Sequence, residues 1–188
     1  MPSSKRPRSS SASIIAEVGV AAALSVVLGK IAVYRMPQGG SVSLEMAPIL
    51  FLAFYRGVRS GVLAGLVSGL AELFIGATIV HPVQAALDYP VAFAVLGLAP
   101  WLSLGSGVLR TVTGTIAATA LRYLAHVVSG VVFFAQYAPE GTPVWRYSAV
   151  YNATFLGPKL LVSLVVVVYL MQRGAFSDGA RAYKRRRR

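Results

Sequence analysis

Apolar stretches separated by short polar corners run through most of the chain and predict helices that cross a membrane. The longer stretches hold about 20 residues, the length that an α-helix needs to span the hydrocarbon core of a bilayer. The pattern predicts six helices, over residues 14–34, 45–55, 60–78, 85–104, 109–135 and 144–171. The second stretch is short for a span, which favours a tilted or partly re-entrant helix.

The predicted helices form one membrane domain, residues 14–172, between two basic ends. A flexible, Ser-rich segment, residues 1–13, precedes the domain, and a cytoplasmic tail, residues 173–188, follows it. A basic start before an apolar run also occurs in signal peptides. The first run is as long as a full span and lacks a convincing small-x-small cleavage site, so we interpret it as helix 1.

Composition narrows the protein class. Hydrophobic residues make up 56% of the chain and charged residues 13%, and the mean hydropathy is +0.66. A soluble domain carries about 25% charged residues, and a disordered chain needs low hydrophobicity and high charge. We therefore expect an all-α integral membrane protein. The absence of cysteine excludes disulfides, thiol nucleophiles and thiolate metal sites.

The formal net charge of +12 predicts the topology. A basic chain can bind nucleic acid, but here the bases gather at the chain ends while the middle is apolar, so no nucleic-acid partner is expected. Lys and Arg stay on the cytoplasmic side of membrane proteins. With the N-terminus inside, the outside holds only Arg35 and Arg146, and the inside holds Lys5, Arg6, Arg8, Arg56, Arg59, Arg110, Arg173, Arg181, Lys184 and Arg185 to Arg188. This bias predicts six crossings with both termini in the cytoplasm.

Polar and aromatic residues gather at the predicted outer ends of the helices. They are Glu45, His81, Gln84, Asp88, Tyr89, His126, Phe133, Phe134, Tyr137, Trp145, Tyr147, Tyr151 and Asn152. Ionisable groups at membrane depth are costly and mark substrate sites or proton paths. Two carboxylates among aromatic rings suit an organic cation. The purely structural alternatives are an interfacial belt of Tyr and Trp and a helix N-cap at Glu45.

Charged residues inside the spans leave several pairings open. His126 lies four residues before Gly130 among apolar neighbours, so it should face the bundle interior. Arg122, one turn earlier, is either its partner or a member of an ion pair. Glu72 is expected to pair with Arg122 or Lys159 in a structural role. Because the outer zone offers little positive charge besides Arg35 and Arg146, an anionic substrate is not expected.

Small residues recur at helical spacing in two of the predicted helices. Helix 3 carries a glycine every four residues, which permits close approach of a neighbouring helix and favours internal packing: Gly57, Gly61, Gly65 and Gly69. Helix 1 carries Gly19-x-x-x-Ala23. This second motif either packs internally or presents a flat face to another membrane protein.

Missing motifs argue against an enzyme. The chain has no phosphate-binding loop, since its only Gly-Lys pair, Gly29-Lys30, is followed by Ile31. It has neither H-E-x-x-H nor the Gly-x-Ser-Gly of intramembrane serine proteases, and its two histidines are far apart. No catalytic residue, metal or cofactor is predicted.

Four separated motifs resemble one transporter family. GGSVSLEM (39–46), HPVQ running into LDYP (81–90), the stretch from His126 to Gly141, and YSAVYN (147–152) are similar to the thiamine-specific substrate-binding (S) components of energy-coupling-factor (ECF) transporters. The resemblance covers most of the chain, from helix 1 to helix 6. It implies a six-helix S-component bundle in the plasma membrane of a prokaryote, with the first long loop as a lid over an outward-facing vitamin pocket.

The resemblance also implies the ligand contacts, with thiamine as the transported ligand. They fall on Glu45, Asp88, Tyr89, His126, Phe134, Tyr147 and Asn152, and the outer cluster adds Gln84, Tyr137 and Trp145. Asp88 would balance the cation or bond the pyrimidine amine, and Glu45 would accept a hydrogen bond on the lid side. Some family members have Glu at the position of Asp88 and Trp at that of Phe134.

The resemblance finally implies partners. In the family, a small-residue motif on helix 1 docks a shared module made of a transmembrane coupling protein and two cassette ATPases, and here that motif is Gly19 and Ala23. Membrane lipid is expected to cover the remaining outer surface of the helices. The alternatives are an S component for another vitamin or heterocyclic precursor, and a stand-alone secondary transporter, although the helices show no clear inverted repeat.

Overall fold

The computed structural model describes residues 11–36 and 40–186, with side chains described as far as Arg173. Its helices are α1 (Ser11–Lys30), α2 (Met46–Arg56), α3 (Val58–Ile75), α4 (Pro82–Leu102), α5 (Gly107–Phe133) and α6 (Val144–Arg186). All except α2 are long and apolar enough to cross a membrane. The prediction of an all-α membrane bundle of six helices is confirmed, and α2, with 11 residues, is as short as the sequence indicated.

The connection between α1 and α2 is more ordered than the predicted loop. Helix 1 was expected to reach Tyr34 but ends at Lys30, because the following residues leave the helix to form a hairpin. Strand β1 (Tyr34–Arg35) pairs antiparallel with β2 (Ser41–Val42), and the Val33 amide donates to the Val42 carbonyl at 2.9 Å. We call the described residues of this connection, 31–36 and 40–45, the lid segment.

Helix α4 is not the regular helix that its hydropathy predicts. It contains a π-helical turn over Leu87–Val91 and a 3₁₀ turn over Val95–Leu98. Pro90 lies inside the π turn, where its missing N–H cannot continue the α-helical ladder. Such π turns widen a helix locally and recur at functional sites. This one carries Asp88 and Tyr89.

The predicted glycine stripe packs inside the bundle at Gly61, Gly65 and Gly69, whereas Gly57 precedes α3 and has no atom within 4 Å of a Cβ built on it. A Cβ at Gly65 would overlap the backbone of Phe93, and one at Gly69 would overlap the backbone of Tyr89 and Pro90. Bare backbone therefore lets α3 and α4 touch along most of their length. The main apolar core lies between α2, α4 and α6, and its larger buried side chains are Met46, Ile49, Leu50, Phe93, Leu96, Phe155, Leu156 and Val167.

The small-residue motif of α1 faces away from the bundle. Gly19 and Ala23 are exposed, and no atom lies within 4 Å of a Cβ built on Gly19. Large apolar side chains flank them on the same surface, among them Val20 and Val27. The alternative that this motif packs internally is therefore wrong.

The predicted ends of the domain lie partly outside the described residues. These include Lys5, Arg6 and Arg8 of the basic lead, Gly39 of the first motif, and residues 187–188. Residues Ser11 to Ser13 form the first turn of α1. The α6 backbone remains helical to Arg186, beyond the predicted start of the tail at residue 173.

Candidate ligand-binding site

A cavity of about 380 Å³ opens between the lid segment and one end of the helices. Its volume lies within the range of small-molecule pockets, about 300–1,000 Å³. All the predicted site residues line it except one: Glu45, Gln84, Asp88, Tyr89, His126, Phe134, Tyr137, Tyr147 and Asn152. Trp145 does not line the cavity and is 65% exposed, so its side chain fits the interfacial belt instead.

Asp88 is held by neutral hydrogen-bond donors. Gln84 Nε2 donates to Oδ2 at 2.7 Å, and Ser129 Oγ donates to the same oxygen at 2.8 Å. His126 Nδ1 lies 2.9 Å from Oδ1. No Lys or Arg of the described residues forms an ion pair with this carboxylate, so its negative charge remains available to a ligand.

His126 is fixed in one orientation by donors and acceptors on both ring nitrogens. Arg122 Nε donates to His126 Nε2 at 3.4 Å, which makes Nε2 the acceptor. The ring proton then lies on Nδ1 and is donated to Asp88. With both nitrogens engaged, the imidazole offers a ligand its ring face rather than a hydrogen bond.

Glu45 is held differently, by two buried cations. Arg122 Nη2 and Lys159 Nζ lie 2.6 Å and 2.7 Å from Glu45 Oε1, and all three side chains are at most 9% exposed. Ser43 Oγ donates to the other oxygen at 3.3 Å, and Ser25 Oγ donates to the Glu45 carbonyl at 2.7 Å. Both roles left open for Arg122 are therefore observed: it donates a hydrogen bond to His126, and it forms an ion pair with Glu45.

The expected partner of Glu72 was wrong. Its carboxylate pairs with Lys30, the last residue of α1, at 2.7 Å, and not with Arg122 or Lys159. The reason is that Glu45, at the start of α2, occupies both of those cations. The expectation of little positive charge in the outer zone is also wrong. Four basic residues line the cavity: Lys30, Arg35, Arg122 and Lys159.

Residues 15–175 match the family described as Thiamine transporter protein (Thia_YuaJ). The chain belongs to this thiamine transporter family. The family consists of membrane transporters rather than enzymes, and its bacterial members lie in the plasma membrane with several crossings.

Individual relatives agree with this assignment. The chain is 39% identical over 168 residues to "Thiamine transporter ThiT" of Bacillus subtilis (strain 168), covering 82% of this chain and 88% of that protein. It is 30% identical over 173 residues to the protein of the same name from Lacticaseibacillus paracasei, covering 84% and 86%. A solved structure of ThiT from Listeria monocytogenes superposes with a TM-score of 0.75 at 28% identity, covering 85% of this chain and 93% of that one.

Aromatic rings form the side walls of the cavity in this family member. Tyr147 and Tyr151 lie 6.0 Å apart, and Phe134 and Tyr137 lie 6.2 Å apart, both measured between ring centroids. The Tyr89 hydroxyl accepts a hydrogen bond from the Thr78 amide at 2.8 Å, which fixes this ring against the loop after α3. The walls therefore offer flat apolar surfaces to a heterocyclic ligand.

Several cavity residues were not singled out as site residues from the sequence. Phe93 lies under the Arg122 guanidinium, 4.1 Å from its carbon to the ring centroid, and Phe155 stands edge-on to His126 at 6.0 Å. Their positions look like ordinary core positions in the sequence. Ser148 had a usable signal, since it precedes Asn152 by one helical turn and its carbonyl accepts from Asn152 Nδ2 at 2.9 Å. Among the described residues, no group of His, Asp and Glu is arranged to hold a metal ion.

Proposed function

We propose that the chain is the thiamine-binding S component of an ECF-type importer, which captures thiamine in the cavity under the lid segment. One observation carries this proposal. Among the described residues three carboxylates line the cavity: Glu45 and Glu72 are paired with Lys or Arg, whereas Asp88 is held by Gln84, Ser129 and His126. An unbalanced carboxylate between aromatic walls is suited to an organic cation.

Thiamine matches this arrangement group by group. Its thiazolium ring is permanently positive, its aminopyrimidine is flat, and its hydroxyethyl arm forms hydrogen bonds. We assign the charge balance, or the bond to the pyrimidine amine, to Asp88. We assign the pyrimidine edge to Tyr147 and Asn152 and a ring sandwich to His126 and Phe134. Glu45 shapes the lid side and accepts from the ligand on the oxygen not engaged by the two cations.

Arg122 adds a donor to this proposed site. Its Nη1 is buried without a hydrogen-bond partner among the described residues, while its other two nitrogens bond Glu45 and His126. Buried donors are normally satisfied, so a ligand acceptor such as a pyrimidine nitrogen would complete its bonding. The same guanidinium repels a positive ring, which favours an arrangement with the thiazolium away from Arg122.

Delivery into the cell requires partners that hydrolyse ATP, since the chain has no phosphate-binding loop. We assign that role to an ECF transmembrane coupling protein with two cassette ATPases. The exposed face of α1 around Gly19 and Ala23 supports this assignment, because small residues allow another helix to approach closely.

The charge argument is tested by comparing thiamine with an analogue whose thiazolium is replaced by an uncharged ring of the same size. Calorimetric titration of the detergent-purified chain should give saturable 1:1 binding of thiamine and binding at least about tenfold weaker for the neutral analogue, a loss of about 1.4 kcal/mol. Equal affinities would contradict the role of Asp88 as the counter-charge. If neither ligand bound, another heterocyclic vitamin would be the substrate.

A further inference from the structure

The two ends of the lid segment are attached to the bundle by ion pairs that differ in burial. At the first end, Lys30 Nζ bonds Glu72 Oε2 of α3 at 2.7 Å, and the two side chains are 36% and 11% exposed. At the second end, Glu45 bonds Arg122 of α5 and Lys159 of α6, with side-chain exposures of 9%, 3% and 2%. One attachment borders water, and the other is enclosed.

Between its ends, the lid segment is held by a short hairpin and by apolar packing of Met36, Val42 and Leu44 against the core. In the described residues its hairpin contains two residue pairs, Tyr34 with Val42 and Arg35 with Ser41. Isolated two-stranded hairpins are at best marginally stable. Gly40 rests directly on the Phe155 ring, where a Cβ would come within 2.8 Å of ring carbons, so the hairpin sits on α6 through apolar contact. Apolar contact therefore holds the middle of the lid segment, and the ion pairs fix its two ends.

The Lys30–Glu72 attachment is also linked to the hairpin and to the cavity lining. Arg35 Nη2 of β1 donates to the Lys30 carbonyl at 2.8 Å, so the hairpin is tied to the residue that carries the ion pair. Gly29 lies between the two attachments, since a Cβ there would be 3.1 Å from Glu45 Oε2 and 3.5 Å from Glu72 Oε1. Lys30, Arg35 and Glu72 all line the cavity. Loss of the Lys30–Glu72 ion pair would therefore also loosen the hairpin of the lid segment.

We propose that Lys30 and Glu72 are positioning residues: their ion pair holds the lid segment closed over the cavity and slows the departure of the bound ligand. The Glu45 cluster is the permanent attachment, because removing one buried partner leaves a desolvated charge unpaired. The Lys30–Glu72 pair is the releasable one, because it borders water. This inference rests on the proposed thiamine-binding function for its kinetic consequence, but its structural half stands without a ligand.

The structural half is tested by distance measurement in the absence of ligand. The chain has no cysteine, so spin labels at V33C and V132C report one pair without background. Both positions are exposed, at 90% and 61%, one beside β1 and one near the end of α5. Pulsed electron paramagnetic resonance should give a narrow distance distribution in the doubly labelled parent and a broader, longer one after Lys30→Met or Glu72→Gln.

The kinetic half is tested by thiamine dissociation from the unlabelled chain. Lys30→Met and Glu72→Gln should each raise the dissociation rate by about tenfold and change the association rate by less than twofold. The double variant should equal the single ones, since both remove the same pair. Lys30→Arg, which keeps the charge and the reach, should restore slow dissociation.

Glu17→Gln is the matched control. It removes the ion pair between Glu17 of α1 and Arg56 of α2, which lies at the opposite end of the bundle from the cavity and is also partly exposed. It should leave both the distance distribution and the dissociation rate unchanged. An unaltered distribution in Lys30→Met and Glu72→Gln would overturn the inference. If the parent does not bind thiamine, the proposed function fails, and the resonance result alone decides the inference.

Discussion

At the scale of single residues, the neighbours of each carboxylate decide what it does. Asp88 and Glu45 were both singled out from the sequence because they are acidic residues at membrane depth. Their different surroundings were not predictable. The rotation and depth of the other helices decide whether Arg122 and Lys159 pair with Glu45 or with Glu72. Sequence patterns located the charged residues of the site, and the fold assigned their pairs.

Glu45→Gln should destabilise the folded chain strongly. The substitution leaves Arg122 and Lys159 buried without their counter-charge, and breaking a buried pair costs about 3–5 kcal/mol. Thermal unfolding in detergent without thiamine should therefore begin at a markedly lower temperature than in the parent. Glu17→Gln, which removes a pair near the surface, should cost at most about 1 kcal/mol. Equal shifts in the two variants would show that the Glu45 cluster adds no particular stability.

At the scale of elements, hydropathy predicted the number and order of the helices but not their irregular parts. The π turn of α4 and the hairpin between α1 and α2 both depend on hydrogen bonds that a periodicity of apolar residues does not encode. Pro90 was the available signal for the first. The glycine stripe was informative, because a glycine at every fourth position favours close approach of another helix, and α3 touches α4 at Gly61, Gly65 and Gly69.

Gly65→Ala should disturb the site through α4. A methyl group there would overlap the Phe93 carbonyl, and overpacking of this kind costs about 1–3 kcal/mol. Separation of α3 from α4 would move Asp88, so thiamine affinity should fall together with the unfolding temperature. Gly19→Ala, at a position with open space around it, serves as the control and should change neither quantity. Parent-like behaviour of Gly65→Ala would mean that the two helices adjust without affecting the cavity.

At the scale of the whole molecule, the distribution of charge and apolar surface governs orientation and partnership. The bases predicted inside a cell lie at the end of the bundle opposite the cavity, such as Arg56 and Arg110, so an outward-facing site follows from the positive-inside rule. Whether the α1 motif faces the bundle or the lipid could not be predicted, because small residues serve internal and external contacts equally well. The exposure of Gly19 and Ala23 in the structure shows that the motif faces away from the bundle.

Gly19→Trp should separate binding from transport. The substitution fills an exposed surface remote from the cavity lining, so the purified chain should bind thiamine as the parent does. Uptake of labelled thiamine by cells that also make the coupling module should stop, because a bulky side chain prevents close helix approach. Val27→Trp is the control variant, at an exposed position of α1 two turns from Gly19, and it should reduce uptake less. Unchanged uptake in Gly19→Trp would remove this face from the docking surface.

The most direct test of the account is a calorimetric titration of the purified chain with thiamine, performed on the parent, on Asp88→Asn and on Glu140→Gln. Glu140 is an exposed carboxylate in the loop between α5 and α6, outside the cavity lining. The parent and Glu140→Gln should bind thiamine equally well. Asp88→Asn should bind at least about tenfold more weakly, since hydrogen bonds to charged groups contribute about 1.5–3 kcal/mol. Equal binding by all three proteins would contradict the account.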